Sequence, residues 1–178
     1  PECAMRSVKF IVMALATACI WVETALADDD TDTFTVSATV LATCEVTAND
    51  LAFGDYDPVA PSNLDAATTL SVTCTNGTPF NVGLDLGTGG GATTAIRYMV
   101  NGGDTLSYTL YRNALRTQLW GDTIGADTLS GVGTGSAATI DVYGRVPMQQ
   151  AAPGGDYQVQ VVRSSDWNGN FTVSMDCQ

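Results

Sequence analysis

The sequence predicts an all-β fold, an immunoglobulin-like β-sandwich. Three observations carry that prediction. Beyond the first 27 residues the chain holds 22 threonines and all 18 glycines, has no lysine, and keeps Glu45 as its one glutamate. Glu and Lys build exposed helix faces and are scarce here, whereas Thr, Val and Tyr in short runs suit strands. No window of eleven residues shows a 3.6-residue apolar period, and eight or nine short apolar runs alternate with turn signals. With 178 residues, 45% of them apolar, the chain is long and hydrophobic enough for one domain with a real core.

Residues 1–27 read as an export signal. Pro1–Ala4 precede Met5, taken as the start, and are set aside. Arg6 and Lys9 are the basic start, and Phe10–Val22 is a 13-residue apolar run, too short for a membrane span. Ala25-Leu26-Ala27 offers a small-x-small cleavage site. Cys19 is an alternative lipidation point, disfavoured by the apolar Ile20-Trp21-Val22 that follows it. Residues 28–41 form an acidic leader and a first apolar run, and residues 42–178 form the sandwich domain, with no internal repeat or further boundary.

Thr33–Leu41 alternates, with Phe34, Val36, Ala38 and Val40 on one face and Thr35, Ser37 and Thr39 on the other, as in a strand with one buried face. A strand region opens at Cys44, followed by Leu51–Phe53, Thr68–Cys74, Phe80–Leu86, Ala95–Val100, Leu106–Arg112, Ala138–Arg145, Tyr157–Val162 and Phe171–Met175. Asp57-Pro58, Asn76-Gly77, Gly87–Gly91, Asn101-Gly102-Gly103, Pro153-Gly154-Gly155 and Asn168-Gly169 punctuate them. Cys44 and Cys74 sit in strand-like runs of an exported chain and are expected to pair. Cys177 is then left as a free thiol or the source of an intermolecular bridge.

The composition excludes several chemistries. The chain has no histidine, hence no Ser-His-Asp triad, no Cys-His dyad and no His-ligated zinc. A net charge of −12 argues against nucleic acid as a partner, since phosphate neutralisation needs clustered Lys and Arg. The leader Asp28–Asp32 lacks the glycine and distal glutamate of a calcium loop. Gly87–Gly91 lacks the Lys-Ser/Thr of a phosphate loop. Asp55 and Asp57 suit turn chemistry better than an ion site, and Trp120 and Trp167 suit packing better than a sugar platform. Asn76-Gly77-Thr78 and Asn170-Phe171-Thr172 are glycosylation sequons, of use only in a glycosylating host. No metal, no cofactor and no enzymatic activity are expected.

The apolar run before Cys44 has a second interpretation. Thr33–Ala48 covers 16 residues, roughly 50 Å when extended, whereas sandwich strands usually hold about 5–6 residues. With so short a link to Cys44 the segment does not fold back easily. Lying in a neighbouring molecule, it would complete that molecule's sheet by strand addition.

Four segments resemble the spore coat U domain family, which includes the Csu-type pilins of archaic chaperone–usher systems. They are Phe53-Gly54-Asp55-Tyr56-Asp57-Pro58, Leu70–Gly77 (LSVTCTNG), Leu106–Asp122 (LSYTLYRNALRTQLWGD) and Asp141–Tyr157 (DVYGRVPMQQAAPGGDY). The resemblance implies an incomplete sandwich lacking its last strand. A periplasmic chaperone first fills the groove, and at an outer-membrane usher the N-terminal strand of the next identical or related subunit replaces it. Phe34, Val36, Ala38 and Val40 fall where the family's donor residues belong, and the family disulfide maps to Cys44 and Cys74. The chain departs from the family at its C-terminus, where two strand-like runs stand in place of one. Both Tyr157–Val162 and Phe171–Met175 qualify as the last family strand. The implied role is a structural subunit of a surface pilus, exported through the periplasm and serving adhesion or biofilm formation. The alternatives are a self-contained spore-coat or matrix protein, and a tip adhesin or carbohydrate-binding module.

Overall fold

The computed structural model describes residues 30–159, 165–166 and 170–173. The chain divides into two units, residues 1–38 and 39–178. In the first, the described residues carry no regular structure and every side chain is exposed. Nine strands lie among the described residues of the second: β1 (Cys44–Ala48), β2 (Leu64–Cys74), β3 (Pro79–Leu84), β4 (Arg97–Asn101), β5 (Asp104–Tyr111), β6 (Leu129–Val132), β7 (Ala137–Val146), β8 (Ser165–Asp166) and β9 (Asn170–Val173). No helix occurs among the described residues, and the fold is of the all-β, immunoglobulin-like class.

One sheet is antiparallel throughout, in the order β1-β2-β7-β5-β4, and the other runs β6-β3-β9-β8. The period-two pattern places the core. Leu70, Val72 and Cys74 of β2, Leu106, Tyr108 and Leu110 of β5, and Val142 and Val146 of β7 are buried from the first sheet. Phe80, Val82 and Leu84 of β3 join them in one cluster with Trp120 and Leu51. The β4–β5 hairpin closes on Gly102-Gly103, with Asn101 opposite Asp104. Gly102 has φ +61°, which the primed hairpin turns require and glycine adopts without strain.

Several expected boundaries shift. Leu51–Phe53 is no strand: Leu51 is buried from an irregular segment, and Phe53 meets Tyr108 edge to face at 6.2 Å. Gly144 explains the placement, because a Cβ there would lie 2.6 Å from the Phe53 ring and 2.7 Å from Leu51. Thr33–Leu41 does not form a strand in this chain. Alternation marks a segment fit to pair, but residues 30–43 join no ladder. Tyr157–Val162 is reduced, within the described residues, to a bridge between Gln158 and Val100. Residues 1–27, Trp167 and Cys177 lie outside the described residues.

Candidate functional site

In the segment expected to donate a strand, the apolar side chains are exposed. Phe34, Val36 and Val40 are 87%, 82% and 81% exposed, and Ala38 and Leu41 are exposed as well. Isolated exposed apolar residues are ordinary, but four at alternate positions offer one apolar face that strand pairing would bury. The stretch ends at a firm anchor. Thr75 Oγ1 donates to Leu41 O at 3.2 Å, Thr43 N donates to Thr75 Oγ1 at 3.1 Å, and Thr75 N returns to Thr43 O at 2.9 Å. One residue later the Cys44–Cys74 disulfide joins register-opposite positions of β1 and β2, the pairing expected from the sequence.

The motifs shared with the family turn out to build the scaffold. Arg116, at φ +54°, reaches across the outer face of the first sheet. Its guanidinium donates to Gly144 O at 3.1 Å and Ala66 O at 3.3 Å, pairs with Asp65 at 3.3 Å, and lies 5.7 Å from the centre of the Tyr143 ring. Arg145 makes a two-pronged contact with the same carboxylate, at 2.7 and 2.9 Å. The hydrogen bond from Arg145 holds the Asp65 carboxyl below its ordinary range, and the charge of Arg116 adds to that. The Arg116 loop is fixed by Asn113 Oδ1, which accepts from Thr117 N and Gln118 N at 3.1 and 3.0 Å. Trp120, fully buried, donates from Nε1 to Val82 O at 3.0 Å, the packing role expected of it.

The Phe53–Pro58 and Asp141–Tyr157 motifs clasp each other. Tyr56 Oη donates to Pro147 O at 2.9 Å and accepts from Gln150 N at 2.7 Å. Gln150 in turn bonds Ser107 through its side-chain oxygen and nitrogen. Asp57 serves the turn, its carboxylate accepting from Val59 N at 3.0 Å. Between these segments lies a cavity of about 370 Å³ floored by Met99, Leu106 and Val146 and flanked by Tyr56 and Tyr157. Tyr157 Oη donates to Pro153 O at 2.9 Å, holding the glycine-rich loop beside it. Among the described residues no three His, Cys, Asp or Glu side chains converge as metal ligands would.

The element that the sequence did not single out is the edge of β3. Its apolar face is buried, β6 ladders one edge antiparallel, and β9 runs parallel along the other. Asn170–Val173 and Ser165–Asp166 therefore pair in the second sheet, a placement left open by the two competing C-terminal runs.

Residues 30–162 match the family model for the Spore Coat Protein U domain. Among curated proteins, Protein U of Myxococcus xanthus is 34% identical over 175 aligned positions, spanning 89% of this chain and 97% of the relative.

Proposed function

The chain belongs to the Spore Coat Protein U domain family, and on that premise we propose that it is a structural subunit, without enzymatic activity, of an exported surface fibre assembled by donor-strand exchange. The observation that carries this reading is the exposed, alternating apolar side chains of Phe34, Val36, Ala38 and Val40, shortly before a hydrogen-bonded anchor and a disulfide. In a second copy, that face would complete a sheet. Burying Phe34, Val36 and Val40 is worth roughly 1.5–3 kcal/mol each, before any ladder hydrogen bonds. A chaperone that shields the acceptor edge and an usher that exchanges it for the next subunit's strand fit the same geometry, since an unpaired apolar strand edge invites indiscriminate pairing. Adhesion or biofilm formation is the use proposed for the fibre.

The test replaces Val36 and Val40 with Asp. Secretion and the Cys44–Cys74 bridge are expected to persist while fibres vanish from sheared cell-surface material in electron micrographs. Fibres that persist in the double variant would refute strand donation. The pairing of β9 with β3 supports a second reading, a self-contained coat protein whose own tail completes its sheet. A heat-resistant monomer by light scattering, never polymeric at any concentration, would establish it instead.

A further inference from the structure

The edge of β3 is where the two readings meet. β9 lies along it in parallel, with Val82 opposite Phe171, Gly83 opposite Thr172 and Leu84 opposite Val173. Among the described residues, the other edge of β9 pairs with β8 alone, through two residue pairs. Both strands consist of chain beyond residue 162, where the family match ends. Among the described residues, the matched segment supplies no strand to this edge of β3, and β9, beyond the match, occupies it.

That occupation is weak by construction. Parallel pairing is slightly less stable per residue than antiparallel pairing. The ladder holds three pairs, and short two-stranded pieces are marginal alone. The N-terminal segment is a longer competitor, with four alternating apolar residues between Phe34 and Val40.

We propose that the β8–β9 tail is a removable cap on a strand-acceptor edge formed by β3. It covers the edge in the free subunit and yields it to the Phe34–Val40 strand of a second copy. The cap protects the monomer from edge-to-edge aggregation before assembly. It also sets the exchange rate, because the incoming strand gains the edge only as the tail leaves. This proposal rests on the donor-strand reading.

The experiment compares the purified, disulfide-bonded chain with its Thr172→Pro variant, in which a backbone donor of β9 is lost. A labelled synthetic peptide of residues 32–42 is the probe. Amide exchange of β3 is measured without peptide, and capture is then followed by fluorescence anisotropy. Faster exchange in β3 is expected in the variant, with peptide capture on the order of tenfold faster, the equivalent of about 1.4 kcal/mol of lost competition. Deletion of residues 164–178 is the second variant and carries the same expectation, should the proline disturb folding. Unchanged β3 exchange with equal capture rates would overturn the cap while leaving strand donation standing. Faster exchange with no capture by any form would overturn displacement and the donor reading together, making β9 the permanent last strand.

Discussion

Replacing Arg97 with Met should remove about 2–4 kcal/mol of stability without altering the fold. Arg97 opens β4 and is fully buried. Its guanidinium donates to Asp85 O at 2.8 Å, Thr94 O at 3.1 Å, Leu84 O at 2.9 Å and Trp120 O at 2.6 Å. It therefore ties the edge of the first sheet to the end of β3 and to the Trp120 loop. Burial pulls the guanidinium pKa down, while nearby Tyr108, Asp85, Asp122 and Asp127 oppose that pull. An arginine stays charged regardless. Methionine keeps much of the stem's volume and removes every donor. The Leu84 and Trp120 bonds are the buried pair, and each orphaned buried carbonyl costs about 1–3 kcal/mol. The sum, roughly 2–6 kcal/mol, is reduced because no cation then needs desolvating. Against a typical domain stability of about 5–15 kcal/mol the loss is large. Urea unfolding should show a lower midpoint with an unchanged slope. Lysine should fall between the two, since a single ammonium cannot reach four carbonyls spread around a planar fork. A Met variant within about 0.5 kcal/mol of the parent would refute the idea that these carbonyls depend on Arg97.

Two further outcomes follow from contacts on the first sheet. Replacing Cys44 and Cys74 together with Ala should lower stability by about 3–4 kcal/mol on the chain-entropy model for a closed loop of 30 residues; denaturant titration checks it, and β1, an edge strand, should lose amide protection first. Asp65 has its pKa depressed by Arg145 and Arg116, so its contribution is present above the ordinary carboxylate pKa and is lost as pH falls through the lowered value. Asp65→Asn should therefore destabilise by at most about 1 kcal/mol at neutral pH, the carboxylate being one-third exposed. The gap between variant and parent should begin to narrow in thermal melts below about pH 4 and close once the pH is below the lowered native value.

The sequence revealed strands wherever alternation coincided with burial on one face. β3, β5 and β7 lie within two residues of their expected bounds, because Phe80, Val82 and Leu84, or Leu106, Tyr108 and Leu110, face the core in regular order. β2 begins four residues earlier than expected. Asp65, Ala66 and Ala67 are poor strand formers, and tertiary contacts from Arg116 and Arg145 hold them there. β6 was missed, since Gly131 interrupts its short pattern. The missing side chain is needed, because a Cβ there would collide with the Phe80 ring. The alternation over Thr33–Leu41 was legible as a strand pattern, and its lack of a partner within the described residues of this chain was not. A strand needs an edge to pair with, and no alternation of residues states where that edge is. The occupied edge of β3 was equally hidden, since residues 82 and 171 are brought together by topology alone.

The anchor at Thr43 has a mechanical consequence. Tension drawn along the N-terminal segment enters the domain at Thr43–Cys44, where hydrogen bonds to Thr75 and the disulfide to Cys74 receive it. The covalent link passes the pull past the five residue pairs of β1 directly into β2. β2 is registered against β7 over ten pairs, in the interior of its sheet. A pull along the axis of that strand strains many hydrogen bonds together instead of peeling them one at a time. The bridge thus acts as a bypass for force, turning a connection that would unzip into one that must shear.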